Sequence, residues 1–446
     1  MNFDRMRALL LEHAIQGKLV PQLAEEGGVE QIGAVPQKIP FGIPDTWKWV
    51  QLGSVVNVQS SKRVHKADWR SEGIPFYRAR EIVTLSKYGK VDNDLFVEED
   101  FYNSLNGEDL PVANDLMVSA VGTLGAVYVV KEGDRFYYKD ASVLCFKNLG
   151  FIAPYFLKLV IDSPYFKHTL KEASSGTTVG TLTIKNAKNF LIPYPPLQEQ
   201  RRIVAKIEES FAEIDRAEKA YEELQTLAGV LRGQILQEAI QGKLVPQLAE
   251  EGGVEQIGSE PENEPFAIPE SWKWLRVKDL AISVSTGPFG SMLHKSDYVE
   301  EGIPVVNPMN LVDGQIVPKR GMMVSTETAD RLKTYQLKQG NIVVARRGEL
   351  GRCAVVSADS DGWLCGTGSF FISLKDAVVP EYFAMCFGAK YMVFHLNSKS
   401  VGTTMANLNH GILKAAIIPV PPIREQIRIL AKVANLMRQV DALSPR

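Results

Sequence analysis

Residues 14–33 read AIQGKLVPQLAEEGGVEQIG, and residues 239–258 read the same letters. An internal repeat of that fidelity constrains the whole architecture, because one string of side chains must find the same surroundings twice. The frame extends well beyond this segment. IPDTWKW (43–49) returns as IPESWKW (268–274), and EGIP at 72–75 returns at 301–304. LMVSAVGTLG (116–125) returns as IVVARRGELG (342–351), and SSGTTVGTL (174–182) as SVGTTMANL (400–408). IPYPPLQEQRRIVAKI (192–207) returns as IPVPPIREQIRILAKV (418–433). The period is far longer than a solenoid unit, so it marks a duplicated domain with its connector. Connectors match closely while the interiors diverge. Two modules that share a frame and read different things would leave this pattern, and so would relaxed drift in loops.

The connectors read as helices. Pro195-Pro196 precedes LQEQRR, which sets proline before the first turn and Glu199 near the positive end of the helix dipole. A 3,4 spacing then runs through Ile203, Ile207, Ser210, Ile214, Ala217, Tyr221, Leu224, Ala228, Leu231 and Ile235, the pattern of a coiled-coil seam. Gly242 supplies the stop, with Pro246 beyond it. The spacing predicts a helix over roughly 198–241. A second copy starts after Pro422, with Ile429, Val433, Leu436, Val440 and Leu443 on its seam; Phe3, Met6 and Leu10 continue the pattern at the N-terminus, and Gly17 stops it. Superposed on the repeat, the two end segments rebuild almost one whole central helix. The expectation is an antiparallel helix pair with a pseudo-two-fold axis. A homodimeric coiled coil between chains is the alternative.

The module interiors carry strand signals at VVNVQ (55–59), LMVSAV (116–121), AVYVV (126–130), SVLCF (142–146), NIVVAR (341–346) and FFISL (370–374), separated by glycine and asparagine turns. Residues 154–173 and 380–398 each read as a helix. The fold class expected is therefore α+β: two similar mixed modules separated by a pair of long antiparallel helices. The segments are 1–17 (distal helix, first part), 18–195 (module 1), 196–242 (central helix), 243–421 (module 2) and 422–446 (distal helix, last part).

Composition excludes several classes. No apolar run approaches the ~20 residues needed to span a membrane, and the charged N-terminus MNFDRMRALLLEHAIQ does not read as a signal peptide. Cys145, Cys353, Cys365 and Cys386 form no CxxC pair, so neither zinc nor a disulfide framework is expected, and reduced thiols in the cytoplasm fit. The net charge of −2 does not announce a nucleic-acid binder, but its distribution is uneven: −8 over residues 196–266, +1 over 42–195 and +3 over 267–421. Basic clusters on the modules could face phosphate while the connector faces water or protein.

The doubled frame resembles the specificity subunits of type I restriction–modification enzymes. The resemblance rests on the paired IPxPPxxEQ helix entries, the paired AIQGKLVPQ helix exits, the paired IPxxWKW module starts and GPFGSMLHKSDY (287–298), in register across essentially the whole chain. It implies two target-recognition domains, each reading one half of a split, asymmetric sequence in double-stranded DNA. It also implies helices that dock two modification (methyltransferase) subunits, which bind S-adenosylmethionine, and restriction (translocase/nuclease) subunits that use ATP and Mg. No cofactor is expected on this chain itself, and no catalysis. The residues agree. The nearest approach to an amino-methyltransferase tetrapeptide, Asn307-Pro308-Met309-Asn310, lacks the second proline and the aromatic, and no GxxxxGK[ST] loop is present. Six histidines without paired spacing and the loop acids Asp359 and Asp361 suggest neither metal site nor nuclease.

Candidate DNA-facing groups sit where glycine-rich loops interrupt strands. In module 1 they are Lys62, Arg63 and Lys66, then Arg78 and Arg80, then Thr177 and Thr178. In module 2 they are Ser291, then Arg346 and Arg347, then Thr403, Thr404, Asn407 and Asn409. Arg346 and Arg347 stand where module 1 has Ala120 and Val121, and Asn407 and Asn409 where it has Thr181 and Thr183. Arginine can bond guanine bidentately and asparagine adenine, so such exchanges would alter base preference. Hydroxyls of the GTT loops would meet phosphate. Candidate seam residues for helix pairing and partner docking are Ile203, Ile207, Ile214, Tyr221, Leu224, Leu231, Ile235, Val433, Leu436 and Val440. A rival reading, a two-module coiled-coil scaffold or adaptor that does not bind DNA, stays open on the near-neutral charge.

Overall fold

The apolar runs pair into one four-stranded antiparallel sheet in each repeat. In the computed structural model, which describes residues 2–174, 180–399 and 408–443, the first sheet orders its strands Val56–Gln59, Val143–Asn148, Leu116–Ser119, Val127–Val129. The second orders them Ala281–Thr286, Ser369–Leu374, Ile342–Ala345, Cys353–Val355. Registers coincide as well: Leu116 faces Phe146, and Ile342 faces Ile372. All four residues of Leu116–Ser119 are buried, and so are all four of Ile342–Ala345. The reason is a core on both faces. Leu116, Val118, Leu144 and Phe146 point into one cluster, while Met117, Val143 and Cys145 point into another, as the two-residue period of a strand requires. A strand buried on both sides shows a continuous apolar run rather than alternation, which is how LMVSAV and NIVVAR look in the sequence.

Further sheets complete each module: a three-stranded one in module 1, and in module 2 a four-stranded one ordered Tyr298–Val299, Met323–Val324, Ile303–Val306, Leu364–Cys365 beside the short ribbon Leu311–Val312 with Gln315–Ile316. Ile74–Tyr77 pairs antiparallel with Phe96–Val97 and parallel with Tyr137–Tyr138. Ile303–Val306 pairs in the same senses with Met323–Val324 and Leu364–Cys365. A two-stranded ribbon joins each module's first strand to its last: Lys48–Gln51 with Leu191–Tyr194, and Lys273–Arg276 with Ile417–Val420. The fold is thus α+β and duplicated.

Two expectations about helices need correction. Residues 154–173 form two helices, Pro154–Asp162 and Pro164–Ser174, because Pro164 has no N–H to continue the first and holds Ser163 extended at ψ 152°. Ser163 then accepts from Phe166 N at 3.3 Å. The corresponding stretch of module 2 breaks at Gly388, between Pro380–Phe387 and Lys390–Lys399.

By contact the chain divides into Met1–Tyr221 and Glu222–Arg446. The long helix Leu197–Ile240 contributes one half to each. In the first unit, helix Phe3–Ile15 runs antiparallel to it, with Phe3 against Tyr221 (ring centroids 6.0 Å apart) and Arg7 bonded to Asp215 at 2.6 Å and to Glu218. In the second unit, helix Ile423–Leu443 does the same, with Arg232 on Asp441 at 2.6 Å. Arg7 and Arg232 are repeat equivalents, as are Asp215 and Asp441. Gly17 and Gly242 end the helices at φ 69° and 70°. A Cβ on either would also overlap a proline ring, Pro44 or Pro269.

The seam is buried at Ile203, Ile207, Ile214, Ile235, Val433 and Val440, and partly buried at Tyr221 and Leu436. It is not buried at Leu224 and Leu231, which are 38% and 42% exposed. The expectation of a continuous two-position seam is corrected there. One seven-residue series (Ile207, Ile214, Tyr221, Ala228, Ile235) turns inward, while Ala217, Leu224 and Leu231 of the alternate series turn to solvent. A helix facing one neighbour covers only a narrow stripe.

Candidate nucleic-acid interface

The repeated motifs meet in a buried node in each unit. Glu199, at the start of the long helix, is 1% exposed and accepts from Trp47 Nε1 at 2.9 Å and Gln22 Nε2 at 2.8 Å. Glu425 repeats this with Trp272 at 3.0 Å and Gln247 at 3.0 Å. The neighbouring Gln200 accepts from Ala153 N and donates to Pro195 O; Gln426 does the same with Val379 N and Pro421 O. Arg202 forks onto Glu26 at 2.8 and 2.6 Å, and Arg428 onto Glu251 at 3.0 and 2.6 Å. Helix entry, helix exit and module start are therefore one hydrogen-bonded joint. The dipole explains the position of Glu199 only in part; its polar partners come from elsewhere in the chain. The doubling of the Gln, Trp and Glu-Gln letters was the signal that could have revealed the joint.

Each module presents a set of loops at one edge of its main sheet. In module 2, Gly287 N donates to Ser369 O, Gly366 N to Val306 O, Arg346 N to Gly368 O, and Leu408 N to Arg346 O, at 2.8–3.2 Å. These bonds bring the GPFG turn, the end of strand Ile342–Ala345 and the turn before Ser369 together around a cleft of about 310 Å³ that also includes Asn307 and Thr367. The approach is close because glycines allow it: a Cβ on Gly287 would overlap the Gly366 carbonyl oxygen, and one on Gly366 the Asn307 side chain. Phe289 stands 66% exposed at the rim. The Arg346 guanidinium lies over the Phe370 ring, 5.6 Å from its centroid, and its Nε has no hydrogen-bond partner among the described residues. Arg347 is exposed. His410 packs against Phe370, and burial, with Lys414 and Arg346 nearby, pushes its imidazole below the usual range.

Module 1 builds the same edge with different side chains. Ala120 N donates to Ser142 O at 2.8 Å, Leu182 N to Ala120 O at 2.9 Å and Lys139 N to Tyr77 O at 2.8 Å. Lys62 and Arg63 lie on the segment equivalent to GPFG. Lys62 pairs with Asp109 at 2.6 Å, and Arg63, 74% exposed at its side chain, is 3.7 Å from Asp140. Where module 2 carries two arginines, module 1 carries Ala120 and Val121.

A family profile described as "Type I restriction modification DNA specificity domain" matches residues 44–226 and again residues 269–444. The chain belongs to this family. The two matched stretches each contain one module and one of its adjoining helix segments, so the duplication is one of specificity domains, and the scaffold reading falls. Among relatives of this specificity protein, the type I restriction enzyme EcoBI specificity subunit of Escherichia coli is 21% identical over 413 residues, covering 90% of this chain and 82% of the relative. The MjaVIII specificity subunit of Methanocaldococcus jannaschii is 22% identical, covering 90% and 87%. The crystal structure of the HsdS subunit from Thermoanaerobacter tengcongensis shares its fold, with a TM-score of 0.61 at 21% identity, covering 91% of this chain and 92% of that one. A chain from a structural study of complex assembly in the type I R-M system gives 0.65 at 22%, covering 91% and 93%.

Several other predicted contacts of the specificity protein have structural partners. Arg78 and Arg80 do not stand free. Both bond Glu81 and Asp94, and Glu81 is 2% exposed. Burial alone would raise the Glu81 carboxyl, but hydrogen bonds from Arg78 and Arg80 hold it below its usual range. Asp94 is lowered chiefly by its bond from Arg80. Asn409 caps helix His410–Ala415 by accepting from Ile412 N, and Thr183 caps helix Ile184–Asn189 by accepting from Asn186 N. That exchange of Asn for Thr therefore preserves one capping bond. Lys66 is exposed at a 3-10 turn and Ser291 is exposed just beyond GPFG. Thr177, Thr178, Thr403, Thr404 and Asn407 lie outside the described residues. All four cysteines are buried; burial pushes the Cys353 thiol up to about 12, and the other three higher. Among the described residues no three His, Cys, Asp or Glu side chains gather to hold a metal, and no helix is long and apolar enough to cross a membrane.

Proposed function

We propose that this chain is the non-catalytic, DNA-reading component of a cytoplasmic type I restriction–modification complex. Each module reads one half of a bipartite, asymmetric target in double-stranded DNA. The helices dock two modification subunits, and restriction subunits join that assembly. S-adenosylmethionine, ATP and Mg belong to those partners. The observation that carries this reading is the paired edge: one backbone frame carries half-buried Arg346 and exposed Arg347 in module 2, where module 1 has buried Ala120 and half-buried Val121. A shared scaffold with unlike side chains at equivalent loop positions is what two readers of different half-sequences require, since bases are told apart by side-chain donors and acceptors. Exposed Leu224, Leu227, Val230 and Leu231 on the long helix support partner docking, because apolar area of that kind is covered in assemblies.

The test exchanges Arg346 for Ala and Arg347 for Val, followed by mapping of methylated genomic sites. One half-sequence is expected to relax at one or more positions, with a loss of about 1–3 kcal/mol in discrimination per bidentate contact removed. The other half stays unchanged. Equal loss at both halves would show that these arginines support the fold or a partner instead.

A further inference from the structure

One turn of the module frame carries opposite chemistry in the two copies. Strand Ile303–Val306 delivers Asn307 to the cleft of module 2, where Gly366 N donates to Val306 O at 2.8 Å. Strand Ile74–Tyr77 delivers Arg78 in module 1, where Lys139 N donates to Tyr77 O at 2.8 Å. The next turn is clamped alike in both. Buried Asn310 accepts from Asn307 N at 2.9 Å, and buried Glu81 accepts from Arg78 N at 2.8 Å. The letters differ throughout: Arg78, Arg80 and Glu81 are answered by Asn307, Met309 and Asn310. Module 1 neutralises its two arginines with Glu81 and Asp94, whereas the same turn of module 2 carries no charge. The arginines of module 2 follow strand Ile342–Ala345 instead, at 346 and 347.

The uncharged side is shaped around its own side chains. Gly366 stands where module 1 has Lys139, and a Cβ there would overlap the Asn307 amide, so the glycine makes room for it. Burial raises the Tyr298 phenol, and a hydrogen bond with the Asn307 amide moderates the rise. A primary amide has two N–H donors and an oxygen with two lone pairs, so capacity is left for a ligand. Phe289 stands at the same cleft, on a turn closed by Met292 N donating to Phe289 O at 2.8 Å. That turn is three residues longer than its counterpart. Val284 matches Val58 by register and His294 matches His65 as a cap, so ten residues in module 2 answer to seven in module 1.

We propose that Asn307 and Phe289 read one A·T base pair in the half-sequence of module 2, the Asn307 amide bonding the N6 and N7 edge of adenine and the Phe289 ring covering the 5-methyl group of thymine. The proposal rests on the DNA-reading function above and names two of its reading residues. An amide matches the adjacent donor and acceptor of adenine, and an apolar ring matches the methyl group that cytosine lacks, while guanidinium groups suit guanine. An uncharged side next to an arginine side equips one cleft for both kinds of base pair.

The test uses the full chain in complex with its modification subunits. Sequencing of methylated DNA compares the unaltered complex with Asn307→Ala, in which Asn310 still clamps the backbone of the turn. The variant is expected to lose at least about fivefold in discrimination at one A·T position of one half-sequence, with the other half unchanged. Synthetic duplexes then carry deoxyuridine in place of each thymine of the target in turn. At the thymine of that A·T pair the unaltered complex is expected to methylate about fourfold more slowly, the equivalent of one buried methyl group. Phe289→Ala is expected to treat the two duplexes alike. The deoxyuridine measurements on the unaltered complex and on the exposed Phe289 position stand even if Asn307→Ala does not fold. Unchanged discrimination by a folded Asn307→Ala, loss at a G·C position or loss at both half-sequences alike would overturn the proposal. So would a deoxyuridine effect that is absent from the unaltered complex or persists in Phe289→Ala. An unaltered complex that methylates without sequence preference would instead overturn the DNA-reading function itself.

Discussion

Glu199 shows how one residue can hold a joint together. Its carboxylate is almost fully withdrawn from water and bonded by an indole 152 residues away in the chain. Truncating it leaves the Trp47 N–H facing a buried hole, while the exposed Gln22 amide keeps its bond to Gly17 O. A buried donor without an acceptor costs about 1–3 kcal/mol, so Glu199→Ala is expected to lose about that much from the stranded indole N–H. Glu425→Ala, with the same partners in the second unit, is expected to lose a similar amount. Denaturant unfolding followed by tryptophan fluorescence would check this. A loss under about 0.5 kcal/mol, the range of an ordinary surface change, would mean that the node is not a structural joint. Arg78 and Arg80 teach the converse. They look free in the sequence, but both neutralise Glu81 and Asp94 within their own module.

At the scale of elements, caps and breaks decide more than propensity. Pro164 and Gly388 each cut a predicted helix in two, and the resulting shorter helices pack separately. The small helices Ile184–Asn189 and His410–Ala415 begin on equivalent caps, Thr183 and Asn409. Asn409→Thr substitutes the cap that module 1 already uses. It is expected to cost no more than a few tenths of a kcal/mol and to leave the methylated half-sequences unchanged, while Asn409→Ala costs about 1 kcal/mol by loss of the cap. Methylation mapping of the threonine variant decides between the roles: a changed half-sequence would show that Asn409 contacts a base.

At the scale of the whole molecule, the long helix Leu197–Ile240 runs unbroken from the first unit into the second. If it sets the distance between half-sites, seven residues inserted between Asp215 and Leu224 keep the inward series in phase and lengthen the helix by about 10.5 Å. At about 3.4 Å per base pair this corresponds to roughly three base pairs. The expected outcome is a longer unspecified spacer with both half-sequences intact, read by sequencing modified genomic DNA. An unchanged spacer with activity retained would remove the helix from that role.

The sequence by itself determined the duplication, the helix entries and exits, the core strands and the family resemblance. Each of these is a property of neighbouring residues or of one segment compared with its repeat: an apolar run, a proline before a turn, a glycine after one, a string written twice. Tertiary structure decided which side of a periodic stripe is covered and which charges are free. Leu224 and Ile235 look alike in a heptad, and only the position of the facing helix makes one exposed and the other buried. Arg78 and Arg347 look alike as basic loop residues, yet the fold sets Arg78 against Glu81 and Asp94 and leaves Arg347 exposed at the cleft. Burial and ion pairing depend on groups brought together through space, and no local pattern in the chain encodes that meeting.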